Sequence, residues 1–276
     1  MKRACVIGWP IAHSRSPLIH GYWLKRYGID GAYSREPVTT DALPEFLASL
    51  PKHGFVGCNI TVPHKEAAYR AAALRDPSAI AIEAANTLWL DNGRLACANT
   101  DTYGFMTNLD LQAPKWRTTD GPIVILGAGG SARAVVHGFL DAGRTDIRVV
   151  NRSRDRAEAL ARHFGAAVSA HDWQDRNNAA KSAAVVVNTT PLGLNGAGEP
   201  DIDFAKTRSD CVAADLVYVP METKFLTAAK ARGLATVGGL GMLLHQAVPG
   251  FEKWFGIRPE VTPELFDLIV RDIEGS

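Results

Sequence analysis

The stretch of this chain with the most legible chemistry runs from Pro122 to Ala134. Four apolar residues, Ile123-Val124-Ile125-Leu126, lead into Gly127-Ala128-Gly129-Gly130-Ser131-Ala132 and then an alanine-rich run. A buried strand entering a glycine-rich turn and a helix can cradle a pyrophosphate. Gly127 permits the tight turn, Gly129 lets backbone approach the phosphates, and Ala132 lets the helix pack closely, leaving its N-terminus to the anion. Any βα turn can carry glycines, but the strand before, the helix after and the strand that follows all meet the context this motif requires. The end of that next strand reads Asn151-Arg152-Ser153-Arg154-Asp155-Arg156. A site for NAD places a carboxylate about 20 residues beyond the glycines to bind the ribose 2′-hydroxyl, and neither Asn151 nor Arg152 supplies one. Arg152 and Arg156, spaced by one helical turn, are expected to face the same side. That pair suits a 2′-phosphate, hence NADP rather than NAD. A solvated basic helix start is the plain alternative, yet cations there oppose the helix dipole, and a bound anion explains them.

A second set of polar residues lies in the first hundred. Gly8-Trp9-Pro10-Ile11-Ala12-His13-Ser14-Arg15-Ser16-Pro17 offers two hydroxyls, Ser14 and Ser16, just ahead of a helix whose first turn accepts Pro17. Ser16 could be no more than an N-cap. Gly57-Cys58-Asn59-Ile60-Thr61-Val62-Pro63-His64-Lys65 ends a strand at Thr61 and delivers Lys65 to a helix start, where a lysine is ordinarily solvated. Asp101, in Asn99-Thr100-Asp101, leads into a further helix and could likewise be only its cap.

The elements that must position these residues follow from an alternation of strand-length apolar runs with amphipathic stretches, the pattern of parallel α/β structure. In the first half, Ala4 to Gly8, Ala32 to Pro37 and Phe55 to Thr61 read as strands, separated by helices at Ser16 to Tyr27, Asp41 to Leu50 and His64 to Ala73. Ala85 to Leu90, Asp91-Asn92-Gly93 and Arg94 to Ala98 read as a hairpin, since Asn-Gly tolerates the positive φ of a tight turn; it predicts an antiparallel edge on a parallel sheet. The polar stretch Asp110 to Pro122 is the best linker candidate. Beyond it, six strands, at Ile123 to Leu126, Ile147 to Val150, Ala166 to Ser169, Ala184 to Asn188, Cys211 to Val217 and Ala235 to Val237, make a full dinucleotide-binding sheet. Met242 to Trp254 and Pro263 to Ile273 are helical by spacing.

Length and composition set the outer bounds. A chain of 276 residues, 46% hydrophobic and 21% charged, is long enough for two folded domains. Thirty basic against 29 acidic residues leave a net charge of +1, so no bulk field recruits nucleic acid or a membrane surface, and any anion site must be local. Cys5, Cys58, Cys97 and Cys211 form no CxxC, which spells out neither a zinc site nor a redox dithiol and fits reduced thiols in a cytoplasm. The N-terminus reaches Gly8 and Pro10 after four apolar residues, too short a run for a signal peptide or a spanning helix.

These motifs together carry a family resemblance. Pro10 to Pro17, Asn59 to Lys65, Ala85-Asn86-Thr87, Asn99-Thr100-Asp101 with Gly104-Phe105, the glycine turn, Asn151-Arg152-Ser153, Asn188-Thr189-Thr190-Pro191-Leu192-Gly193, Asp215-Leu216-Val217-Tyr218 and Gly241-Met242-Leu243-Leu244 with Gln246-Ala247 stand in the order found in the shikimate dehydrogenases. The sequence resembles that family over nearly its whole length; Gly21 departs where the family often carries Asn. The resemblance implies an N-terminal, mostly parallel α/β substrate domain, 1–105 with 240–276, and a doubly wound Rossmann domain, 106–239, for NADP. It implies reversible NADP-dependent reduction of 3-dehydroshikimate to shikimate, on the way to chorismate and the aromatic amino acids, in a cytoplasmic monomer or homodimer. Ser14 and Ser16 would bind the substrate carboxylate, Thr61, Asn86, Asp101 and Gln246 the ring hydroxyls, and Lys65 the reacting oxygen, with Tyr218 closing the site. Lys65 and Asp101 would be catalytic. Gly127, Ala128, Gly129, Gly130 and Ser131 would hold the pyrophosphate, Asn151, Arg152, Ser153 and Arg156 the adenosine phosphate, and Thr189, Leu216 and Gly239 the nicotinamide end.

Chemistry agrees with that division. Hydride moves between carbon and nicotinamide while the attached oxygen gains or loses a proton, and an ammonium at Lys65 stabilises charge on that oxygen. No metal is expected, since the spaced Cys and His ligands of zinc alcohol dehydrogenases are lacking. Two alternatives remain: a quinate/shikimate dehydrogenase, which often prefers NAD, and a non-catalytic NADP-binding sensor, which has no use for Lys65 and Asp101 together.

Overall fold

The computed structural model describes residues 1–275 and divides into two compact units, Met1–Asp101 with Leu244–Ser276, and Thr102–Leu243. The divisions fall inside helices, near the sequence-based ones at 105/106 and 239/240.

In the first unit the order is β1 (Lys2–Gly8), α1 (Ser16–Arg26), β2 (Gly31–Pro37), α2 (Leu43–Ser49), β3 (Phe55–Ile60), α3 (Lys65–Ala71), β4 (Leu74–Arg75), α4 (Pro77–Ile82), β5 (Thr87–Asp91), β6 (Arg94–Ala98) and the start of α5 (Asp101–Gln112). Its sheet runs β2-β1-β3-β5-β6-β4. Only β5 opposes its neighbours: it pairs antiparallel with β3 and with β6, and β4 pairs parallel with β6. The antiparallel strand is therefore interior, and the edge belongs to β4, whose two residues are too short a run to be read from sequence. Cys5, Ile7, Cys58 and Ile60, alternate residues of β1 and β3, bury one face with Leu43, Leu47, Ala68 and Ala79 of α2, α3 and α4.

The second unit continues with β7 (Ile123–Leu126), α6 (Gly130–Asp141), β8 (Ile147–Asn151), α7 (Arg154–Phe164), β9 (Val168–Asp172), α8 (Arg176–Ala180), β10 (Val185–Asn188), β11 (Val212–Asp215), α9 (Lys224–Ala231) and β12 (Ala235–Val237). The last helices are α10 (Leu240–Phe255) and α11 (Pro263–Glu274). All six strands are parallel, in the order β12-β11-β10-β7-β8-β9. This is the doubly wound dinucleotide-binding order, whose switch point falls between β7 and β10. Both faces are buried: Ile123 and Ile125 join one core with Val135 and Phe139, while Val124 and Leu126 join the other with Phe225 and Leu226. Near-continuous apolar strands are what a sheet covered on both sides needs.

The stretch 110–122 is not a linker. α5 continues to Gln112, a 3₁₀ turn spans Pro114–Arg117, and Trp116, 1% exposed, packs edge-on against Phe139 at 5.3 Å. Its polar residues serve that packing: Asp110 accepts the indole N–H at 2.8 Å and also binds Arg117. No helix among the described residues is long and apolar enough to cross a membrane.

Candidate active site

The reversed direction of β5 gathers the first unit's polar residues. A hairpin brings the residue before β5 beside the residues after β6, and β3 ends next to both, so Thr61, Asn86 and Asp101 converge from three stretches of sequence. Asn86 anchors the group. Its backbone N–H donates to Ala98 and its carbonyl accepts from Ile60, while its side-chain amide donates to Asp101 Oδ1 at 2.8 Å. Its Oδ1 accepts from the Thr100 N–H at 2.8 Å. Asp101, 7% exposed, uses its other oxygen to accept from Lys65 Nζ at 2.5 Å. Neither residue matches its bland alternative. The Lys65 side chain is only 22% exposed and paired, and the Asp101 carboxylate is directed to Lys65 and Asn86. Gln246, on α10, brings Oε1 within 3.4 Å of the Asn86 amide and accepts from Thr100 Oγ1 through its carbonyl at 2.7 Å.

Ser14 and Ser16 stand at the end of the turn leaving β1. Ser14 Oγ donates to Ser16 Oγ at 3.2 Å and accepts from the Ser16 N–H at 3.3 Å. Ser16 is the first helical residue and not the N-cap: Arg15 holds the cap position without a side-chain capping bond, its guanidinium pairing instead with Asp272 at 2.8 Å. Gly8 has a local reason as well, because a Cβ there would strike the Thr61 methyl at 2.5 Å. Thr100 and Asn59 belong to the network although no role was expected of either. Asn59 donates to the Asn86 carbonyl at 3.1 Å and accepts from the Tyr33 hydroxyl at 2.6 Å. Both lie within the motifs that carry the resemblance, but only the hairpin geometry shows what they touch.

In the second unit, Gly127 adopts φ +110°, open to glycine alone, and donates its N–H to Val150. A Cβ there would meet Thr189 Oγ1 at 2.6 Å across the switch point. Gly129 and Gly130, at the start of α6, border open space, with no atom within 4 Å of where a Cβ would stand, whereas Ala132 is fully buried. Ala128 and Ser131 flank them. Open glycines at a helix N-terminus fit a pyrophosphate.

The turn after β8 differs in one respect from the expected arrangement. Ser153 is the residue before α7, so Arg152 lies in the turn and does not share a helical face with Arg156. The Asn151 amide donates to the Ser153 carbonyl at 2.8 Å and shapes that turn. Arg154, the cation between them, is bound to Glu158 and Asp172, while Arg152 and Arg156 are exposed and have no carboxylate partner among the described residues. Two unspent guanidiniums therefore flank a neutralised one, which fits a phosphate. Thr189 donates its hydroxyl to the Leu126 carbonyl at 2.7 Å, so toward a ligand that hydroxyl can only accept. Leu216 and Gly239 touch: a Cβ on Gly239 would overlap the Leu216 carbonyl. Tyr218, half-buried after β11, is the one expected substrate residue that lies in the second unit. No three His, Cys, Asp or Glu side chains come together as metal ligands among the described residues.

Three family descriptions match this chain: a shikimate dehydrogenase substrate binding domain over residues 6–88, shikimate/quinate 5-dehydrogenase over 111–194, and a shikimate 5′-dehydrogenase C-terminal domain over 239–263. A shikimate dehydrogenase (NADP(+)) of Brucella canis is 54% identical across 99% of this chain and 95% of its own. One from Azorhizobium caulinodans is 52% identical over 100% and 98%. Among solved structures, shikimate 5-dehydrogenase of Thermus thermophilus in complex with NADP(H) and shikimate superposes with a TM-score of 0.86 at 35% identity, over 99% of this chain and 100% of that one. A quinate dehydrogenase of Corynebacterium glutamicum in complex with NAD reaches 0.89 at 28%, over 98% and 99%.

Proposed function

The chain belongs to the shikimate dehydrogenase family, and from that premise we propose that it reduces 3-dehydroshikimate to shikimate, reversibly and with NADP, through the residues gathered above. The observation that carries the reading is the Lys65–Asp101–Asn86 arrangement, a cation held by a carboxylate that is itself held by an amide. A binding module has no need of a partly buried ion pair at a strand end, where desolvation is costly.

Lys65 bonds the reacting oxygen and stabilises the negative charge that develops on it. Asp101 aims Lys65 and binds a ring hydroxyl together with Asn86, Thr61 and Gln246. Ser14 and Ser16 donate to the carboxylate, for which Ser14 must turn its hydroxyl away from Ser16, and Tyr218 is a further substrate-binding residue. Gly127 to Ser131 hold the pyrophosphate, and Asn151, Arg152, Ser153 and Arg156 hold the 2′-phosphate. Thr189, Leu216 and Gly239 form the nicotinamide end. When bound, NADPH supplies the hydride. The substrate domain is 1–105 with 240–276 and the NADP domain is 106–239. The enzyme acts in the cytoplasm as a monomer or homodimer, a placement supported by four free, buried cysteines.

The NAD-bound quinate relative makes the competing reading concrete. Initial rates with shikimate and quinate, each with NADP and with NAD, decide between them. Shikimate with NADP is expected to give the highest kcat/KM; a preference for quinate or NAD would move the chain to the second activity, and no turnover in any of the four would leave a binding protein.

A further inference from the structure

Asp215 ends β11 with 2% of its surface exposed, and the functional reading gives it no task. Its carboxylate accepts from three places in the chain. Oδ1 receives the Asn188 amide at 2.9 Å and the Val217 N–H at 3.0 Å, and Oδ2 receives the Thr223 hydroxyl at 2.6 Å. Asn188 closes β10 and accepts from the Thr190 N–H and hydroxyl, at 3.0 and 2.6 Å. Between Asn188 and Thr190, Thr189 is fastened to Leu126 at the end of β7. A single buried carboxylate thus ties the ends of β10 and β11 to the residue that caps α9.

The segment so held, Leu216 with Val217, is the one whose carbonyl lies too close to residue 239 to admit any side chain there. Asn108 fixes the other side of this contact, donating to the Gly238 carbonyl at 2.9 Å. A buried carboxylate is an expensive way to hold a loop, and burial raises the pKa of this one. Its return is directional rigidity, since bonds to an ionised acceptor are the strong ones.

We propose that Asp215 is a positioning residue for the nicotinamide end of the NADP site, setting Leu216 against Gly239 so that the hydride-transferring ring has one resting place. This rests on the assignment of Leu216 and Gly239 to that end. Misplacement by about 1 Å can cost up to about a hundredfold in rate.

Asp215→Asn in the full chain keeps the shape but turns an NH2 toward at least one of the three donors. The expected result is a kcat lower by about tenfold or more, with a larger primary isotope effect when shikimate carries deuterium at the reacting carbon. The KM for shikimate and the preference for NADP over NAD should stay near wild type. A lowered melting temperature with unchanged kcat per titrated site and unchanged isotope effect would mean a merely structural carboxylate and overturn the proposal. Should Asp215→Asn not fold, Thr223→Val and Thr223→Ser decide: serine restores the hydroxyl and should restore kcat, and equal kcat in the two would overturn it. Wild-type protein inactive with shikimate and NADP would remove the functional reading beneath; active wild type with unaffected variants would remove only the role of Asp215.

Discussion

At the scale of single residues, Lys65 and Asp101 show how little spacing alone conveys. Thirty-six positions separate them, no periodicity links them, and each taken singly reads as a solvated or capping side chain; the 2.5 Å contact exists because β3 and β6 end where β5 begins. Their candidacy comes from motif resemblance, and their geometry comes only with the fold. Charge on the reacting oxygen is greatest in the transition state, so Lys65 should act more on kcat than on binding. Lys65→Ala is expected to lower kcat by about 10²–10⁴-fold with little change in the KM for shikimate. Asp101→Asn should cost less in kcat and more in KM, because it leaves Lys65 in place but weakens the grip on a ring hydroxyl. NADPH titration of both folded variants should give wild-type affinity. Retention of more than about a tenth of kcat in Lys65→Ala, well short of that range, would transfer the role to another group.

Elements are legible where a hydrophobic period runs long enough to reveal a face. Five of the second unit's strands, β7, β8, β10, β11 and β12, can be placed from sequence to within about two residues, as can β1, β3 and α10; β9, a half-exposed edge strand of sequence VSAHD, is expected at Ala166 to Ser169 and lies at Val168–Asp172. Two-residue β4 has no period to show, and β5 cannot be seen to be interior because an alternating strand looks the same at an edge or inside. The stretch 110–122 misleads through composition: a buried tryptophan among prolines and charges reads as a loop until its partners are known. The β8–α7 turn makes a prediction at this scale. With Arg154 neutralised and Arg152 and Arg156 unspent, Arg152→Ala should lose about 1.5–3 kcal/mol of NADP affinity, the worth of a charge-assisted bond, and little NAD affinity. Equal losses for both cofactors in titration would show that Arg152 does not touch the 2′-phosphate. A second prediction concerns sheet against helix. Gly57 in β3 faces Trp254 of α10, whose indole N–H donates to the Leu88 carbonyl at 2.8 Å, and a Cβ at 57 would overlap both groups. Gly57→Ala should lower stability in urea by about 1–3 kcal/mol, an overpacking cost.

For the whole molecule, pH joins residues that no motif would group. His20 is fully buried in an aromatic cage, stacked on Tyr33 at 4.0 Å, and burial pushes its pKa down from 6.5 to about 3. Asn59 offsets part of this, but neither ring nitrogen has a hydrogen-bond partner among the described residues. The unfolded chain therefore binds a proton near pH 6.5 that the folded chain refuses. The stabilisation is complete above that pH and is lost progressively as pH falls toward the folded value. His137, His171 and His245, each shifted down chiefly by burial, add losses of the same sign. Asp215 works the other way: its raised pKa gives stability that is complete below 3.8 and fades as pH rises through the folded value, so acid restores part of what the histidines lose. Urea unfolding at pH values of about 7.5, 6.0 and 5.0 should show a decline steepening below about 6.5, with His20 contributing up to about 1.4 kcal/mol per pH unit. His20→Phe keeps an aromatic ring against Tyr33 and removes the titration, so its decline should be shallower by that amount. A parallel decline in variant and wild type would show that His20 is protonated in the folded chain, and the acid sensitivity would then belong to the other histidines.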